Sequence, residues 1–107
     1  MDPQEFRDRA DEALAHLHRR LMIAGERYRF EADLNAGALA IEFEDPPAKF
    51  VVSPNAPVSQ IWVSALSKSF KLDWDPAREE FALPGGPTLI ELVAQSAGQL
   101  LGEEVNL

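Results

Sequence analysis

The sequence predicts an α+β fold, a two-layer sandwich in which two helices pack on one face of a five- to six-stranded, mostly antiparallel sheet. Near both ends of the chain apolar residues recur every three or four positions, which is typical of amphipathic helices. Between these segments apolar and polar residues alternate, as they do in half-buried strands. The connections are short, and short turns favour antiparallel pairing. We expect residues 1–107 to form one domain.

The first helix has a well-marked start. Asp2 can cap it, Pro3 suits its first turn, and Glu5 stands where a capping box needs a carboxylate. Gly25 is expected to end it. The apolar stripe that should face the sheet comprises Phe6, Ala10, Ala13, Leu14, Leu17 and Leu21.

The segment from Tyr28 to Glu44 reads as a hairpin. A two-residue loop at Ala36–Gly37 would pair Asn35 with Ala38 and place three apolar pairs on the inner face. The outer-face pairs of this register are Glu31 with Glu42, Arg29 with Glu44, and Asp33 with Ala40.

Three further strands and a weak sixth follow. We expect them at about residues 49–53, 58–65 and 69–74, with the weak one around Phe81 and Leu83. The second helix should open with Thr88 and Glu91 as a capping box and end at Gly102.

A tryptophan on the fourth strand is the strongest candidate for an interaction residue. One face of this strand is small and aliphatic and belongs against the helices, whereas the other carries Gln60, Trp62 and Ser64. Exposed tryptophan is enriched at binding hot spots. Two interpretations stay open here: Trp62 anchors a partner, or a neighbouring loop or long side chain covers it.

The hairpin also predicts an acidic patch. Like charges that face each other across strands are unfavourable, so the two side chains either turn apart into solvent or bind a cation between them. Glu31, Asp33, Glu42 and Glu44 offer the oxygen ligands that hard cations prefer, in a shallow and weak site. A merely solvated acidic face is the alternative.

Composition excludes several functions. Eighteen carboxylates against ten Lys and Arg give a net charge of −8, which disfavours nucleic acids and anionic membranes as partners. There is no cysteine, so the chain cannot hold an iron–sulfur cluster on its own thiolates.

No apolar stretch could span a bilayer, and the acidic start is unlike a signal peptide, so a cytoplasmic location is expected. We find no acid/base pair, nucleophile or phosphate loop, which indicates a binding domain rather than an enzyme.

The ordered set of these motifs resembles the frataxin family, in particular its bacterial members, over nearly the whole chain. The most specific match is the segment Pro57–Ser64, which is similar to the family's strand signature P-x-x-Q-[IV]-W-[LV]-[SA]. Other matching features are Glu5-Phe6 with Ala10-Asp11, the hairpin stretch 34–39, the Phe70–Asp73 pattern, and the final helix with Leu89, Glu91 and Leu92.

The resemblance implies a role in iron–sulfur cluster assembly. Frataxins bind iron weakly through surface carboxylates, and they bind and regulate the complex of cysteine desulfurase and scaffold protein. Gln60, Trp62 and Ser64 would then meet that complex, together with Asn35 and Gly37 of the hairpin turn. A monomer is expected.

One departure from the family concerns its acidic iron-binding ridge. The corresponding residues 18–29 hold a single acid, Glu26, among four arginines. Only Glu31, Asp33 and Glu44 occupy acidic ridge positions, with Glu42 beside them. Positions that are commonly Asp or Glu are occupied by Arg19, Met22, Ile23, Gly25, Arg27 and Arg29.

Three functions therefore compete. The first is a regulator that binds the desulfurase–scaffold complex through the sheet face. The second is a weak iron carrier, or a ferroxidase-like iron store, built on the hairpin carboxylates. The third is an acidic interaction domain with an unrelated partner, in which Arg19, Arg20, Arg27 and Arg29 form the contact surface.

Overall fold

The computed structural model describes residues 1–107 and shows two helices and a six-stranded sheet. The expected α+β sandwich is confirmed. The elements in chain order are α1 (Pro3–Tyr28), β1 (Phe30–Asn35), β2 (Ala38–Glu44), β3 (Pro47–Asn55), β4 (Gln60–Ala65), β5 (Lys68–Asp75), β6 (Glu80–Ala82) and α2 (Leu89–Leu101).

The sheet is a meander in which each strand pairs antiparallel with the next, in the order β1 to β6. One face of the sheet and the apolar stripes of both helices form the core. Along β4 the aliphatic residues Ile61, Val63 and Ala65 are buried, whereas Trp62 and Ser64 are exposed. The alternation of apolar and polar residues therefore predicted correctly which side chains of β4 are buried. Neither helix is long and apolar enough to cross a membrane.

Both helices start at the predicted cap residues, but the Glu5 carboxylate does not complete a capping box at α1 and instead accepts a hydrogen bond from the Arg9 Nε–H at 3.1 Å. The Asp2 carboxylate accepts a hydrogen bond from the Glu5 N–H at 2.8 Å. At the start of α2, Thr88 and Glu91 form the complete, reciprocal capping box. Gly102, with φ +71°, ends α2 in the left-handed region.

The predicted end of α1 is wrong. The helix continues through Gly25 to Tyr28, and Arg29 caps it with φ 59° and an N–H bond to the Gly25 carbonyl. Gly25 is buried against the first strand, where an added Cβ would lie 2.7 Å from the Phe30 carbonyl oxygen. This glycine therefore allows a close approach of two backbones instead of stopping the helix.

This longer helix changes the start of the hairpin. Tyr28 is helical and buried, and its hydroxyl accepts a hydrogen bond from the Asn106 N–H at 3.3 Å. The first strand begins only at Phe30, so Arg29 does not oppose Glu44 as predicted. The rest of the predicted register is confirmed, from Phe30–Phe43 to Asn35–Ala38.

Other strand bounds differ by a few residues. The third strand is longer than predicted and contains prolines near both of its ends, where a missing N–H is best tolerated. The fourth begins at Gln60 instead of Val58, because residues Ala56–Val58 form one 3₁₀ turn and Ser59 then adopts φ 53°.

Candidate functional site: the outer sheet face

The sheet face opposite the helices carries the candidate interaction residues. Trp62 lies here with 38% of its surface exposed, between Gln60 and Ser64 on the same strand. Its neighbours across the sheet are Ser53 on β3 and Lys71 on β5. An apolar ring that stays this accessible on a flat sheet can bury further area against a partner.

The indole is held in place by hydrogen bonds. Its Nε1–H donates to the Gln60 Oε1 at 3.0 Å, and the Gln60 Nε2 donates to the Asp73 Oδ1 at 3.1 Å. These two hydrogen bonds also fix the orientation of the Gln60 amide, since an indole N–H can only donate and a carboxylate can only accept.

A lysine covers part of the same ring. The Lys71 Nζ lies 4.9 Å from the centroid of the Trp62 ring, within the range of a cation–π contact. The interpretation that a long side chain covers Trp62 is correct for part of the ring, since 38% of the residue still meets solvent. That Trp62 anchors a partner stays a prediction.

The hairpin turn lies on the same outer layer, at the free edge of the sheet. Ala36 and Gly37 have φ values of 54° and 80°, the pair of positive angles that defines a type I′ turn. Asn35 precedes them and is exposed. The register places Asn35 beside Ala38 on β2. It stands three strands away from β4, which is about 14 Å at ordinary strand spacing.

The four candidate metal ligands are all exposed. Glu31 lies directly opposite Glu42, as the sequence predicted, and Glu42 also faces Lys49 on the third strand. Asp33 faces Ala40 on the second strand. No three acidic or histidine side chains converge closely enough to hold a metal ion, so these carboxylates form an open strip along the strands.

A shallow groove separates this strip from the end of α1. It measures about 430 Å³, and Met22, Glu26, Glu31, Asp33 and Glu42 all line it. The groove adds Glu26 to the carboxylates that the sequence had grouped by strand alternation.

The outward side of α1 near its end is apolar and basic. Ile23 is 77% exposed and Met22 62% exposed. The guanidinium of Arg27 lies 5.4 Å from the centroid of the Tyr28 ring, and Arg20 donates to the Leu107 carbonyl. The arginines of the third sequence hypothesis thus lie on exposed surface, but two of them already contact the chain itself.

Three residues of the outer face were missed by sequence reasoning. Lys49, Lys71 and Asp73 had been assigned to strands, but their neighbours depend on the pairing of β3 and β5. A two-residue loop at Leu66–Ser67 implies the register that places Lys71 opposite Trp62.

Two ionisable groups with shifted pKa values lie outside the set of candidate interaction residues. A side-chain hydrogen bond from Arg78 lowers the pKa of Asp75, the last residue of β5. The Thr88 N–H, followed by the Thr88 side chain, lowers the pKa of Glu91 in the capping box. Both arise from local turn and cap geometry.

Comparison with known proteins identifies the family. Residues 1–103 match the family model of the frataxin-like domain. The iron–sulfur cluster assembly protein CyaY of Tolumonas auensis is 29% identical over 77 residues, which cover 72% of each chain. The protein of the same name from Azotobacter vinelandii is 32% identical over 72 residues, covering 66% of this chain and 64% of its own length.

A solved structure agrees on the fold. The frataxin from Psychromonas ingrahamii superposes with a TM-score of 0.81 over 99% of this chain and 97% of its own, at 20% sequence identity. At that identity the likeness bears on architecture alone. The sequence resemblance, the two-layer fold and the match over residues 1–103 agree, and this chain belongs to the frataxin-like family.

Proposed function

We propose that this protein regulates iron–sulfur cluster assembly by binding the complex of cysteine desulfurase and scaffold protein through its outer sheet face. The observation that carries the proposal is Trp62, which is 38% exposed, faces away from the helices and is held by its neighbours. Two relatives are named as cluster assembly proteins, and the absence of cysteine fits an accessory role in which the cluster is built elsewhere. The cytoplasm is the expected place of action.

The docking surface is defined as Gln60, Trp62 and Ser64 of β4, with Asn35 and Gly37 at the sheet edge. A tryptophan at the centre of such a surface supplies most of the buried apolar area, and the polar groups around it set the orientation. Because a sheet face of this kind is preformed, little ordering is needed on binding.

The test is the affinity of Trp62→Ala for the cognate desulfurase–scaffold complex. Loss of a hot-spot tryptophan should weaken binding about thirtyfold or more, measured by calorimetry or biolayer interferometry. Ile23→Ala is the matched control, since it removes an exposed apolar side chain from the other layer and should leave affinity unchanged. If Trp62→Ala and the natural chain bind the complex with equal affinity, the proposal is wrong.

A second function is supported by the carboxylate strip. We propose that Glu31, Asp33, Glu42 and Glu44 bind iron weakly as cargo. The exposed like-charge pair Glu31–Glu42 supports this, because a cation between the two would relieve their repulsion. Lys49 beside Glu42 and the open geometry both favour low affinity.

Titration with Fe²⁺ and with Fe³⁺ tests the cargo proposal. Paramagnetic broadening of NMR signals should begin at the four residues of the strip and should disappear in Glu31→Gln/Glu42→Gln. The control is Glu103→Gln/Glu104→Gln, which removes the same charge from an exposed segment after α2. Signals of the strip that stay sharp while iron is added would exclude this function.

A further inference from the structure

We infer that Asp73 and Gln60 are positioning residues that fix the indole of Trp62 for docking, and that Gln60 acts through Trp62 and not chiefly through the partner. The inference rests on the proposed docking function and assigns a role to Asp73, which lies on the neighbouring strand β5. It follows from one continuous chain of hydrogen bonds, from Asp73 to Gln60 and from Gln60 to Trp62.

The direction of the two hydrogen bonds allows the Gln60 amide only one orientation. Its carbonyl oxygen accepts the indole N–H at 3.0 Å, and its amide nitrogen donates to the Asp73 carboxylate at 3.1 Å. Were the amide turned over, the Gln60 NH₂ would face the indole N–H, and its oxygen would face the carboxylate. Both contacts would then be repulsive, so Asp73 determines which group Gln60 offers to the indole.

The strand pairing explains why these side chains meet. Trp62 lies opposite Lys71, and Ile61 lies opposite Leu72, so Gln60 and Asp73 come next to each other at the following outer position. Gln60 and Trp62 are two residues apart on one strand and therefore share its outer face. The sheet thus supplies a rigid base, on which a half-exposed ring can be oriented without a pocket.

Lys71 restrains the ring over its face. Its ammonium group, 4.9 Å from the ring centroid, favours the same indole orientation as the hydrogen bond to Gln60. The ring is therefore restrained at its N–H and over its face while 38% of the residue stays accessible. A side chain that is ordered before binding loses less entropy when the partner docks.

The predicted effect of removing the Asp73 acceptor is moderate. Asp73→Ala should release the Gln60 amide and let the indole sample other rotamers, which should weaken binding to the desulfurase–scaffold complex about two- to tenfold. Asp73→Asn keeps an acceptor oxygen and should stay within about twofold of the natural chain. Glu80→Ala, a matched loss of one negative charge on β6, should also stay within about twofold.

The NMR signal of the Trp62 indole distinguishes a change in the position of the ring from loss of the fold or loss of a charge. The Trp62 indole N–H signal in a ¹⁵N spectrum should shift and sharpen toward a mobile, solvated position in Asp73→Ala and should return in Asp73→Asn. Trp74, which packs on Phe81 with ring centroids 5.2 Å apart, reports in the same spectrum whether the fold is intact.

Two results in the Asp73 variants would contradict the inference. An unchanged indole signal and unchanged affinity in Asp73→Ala would overturn the inference, and so would an equal loss in Asp73→Asn, because charge and not the hydrogen bond would then be responsible. If Trp62→Ala itself binds as well as the natural chain, the docking proposal fails, while the indole signal still decides whether Asp73 orients the ring.

Discussion

Replacing Gly25 by alanine tests the close approach of α1 and β1. Helix propensity alone predicts that Gly25→Ala stabilises the protein by about 1 kcal/mol, because Gly25 lies inside a helix. The structure predicts the opposite sign. The new Cβ would lie 2.7 Å from the Phe30 carbonyl oxygen, and this backbone atom cannot rotate away as a side chain can.

The magnitude follows from the overlap. An ordinary contact at this position begins near 3.4 Å, so the start of β1 must move by about 0.7 Å from α1 in a densely packed region. Overpacking of this kind costs about 1–3 kcal/mol. After the propensity gain is subtracted, we expect a net loss of about 1 kcal/mol and a fall in Tm of about 4–6 °C.

Urea and thermal unfolding followed by circular dichroism measure this effect. Ala15→Gly serves as the control for propensity, since it makes the reverse change at a half-buried site of the same helix and should cost about 1 kcal/mol. If Gly25→Ala unfolds at a higher urea concentration than the natural chain, the close-approach argument is refuted.

Four other substitutions test the hairpin turn, the two faces of β4 and the capping box of α2. Ala36→Gly should raise the free energy of unfolding by about 0.5–1 kcal/mol, since Ala36 has φ 54° in the type I′ turn; equal midpoints in urea would contradict this. Ile61→Ala should cost about 2–5 kcal/mol because Ile61 is fully buried, whereas Trp62→Ala beside it should cost far less; chemical denaturation of both variants compares the two faces of β4. Because the folded-state pKa of Glu91 is lowered, its carboxylate stabilises the fold above its ordinary pKa, and this contribution is lost as the pH falls through the lower folded value. Glu91→Gln should therefore flatten the acid limb of a stability–pH curve, and an unchanged slope would argue against the capping-box origin of the shift.

The part of the site that lies on one strand could be predicted from the sequence. Strand alternation places Trp62 on the face opposite Ile61 and Val63 regardless of what surrounds it, because successive side chains point to opposite sides. The first hairpin was equally predictable, since the Ala36–Gly37 loop and the matching of apolar pairs fix its register. Both conclusions depend on local geometry.

The contacts between strands and layers needed the tertiary structure. Gly25 looks like a helix stop in sequence, and only the position of the Phe30 carbonyl shows that it serves a close approach. The link from Asp73 through Gln60 to Trp62, and the cover of Lys71 over the ring, depend on the register between β4 and β5. The sequence by itself thus determined the two-layer fold and the outward direction of Trp62, because periodicity is local. Which groups hold the indole was decided by the tertiary structure, because alternation shows only on which face a side chain lies, whereas its hydrogen bonds depend on the register between β4 and β5 and on the side-chain conformations.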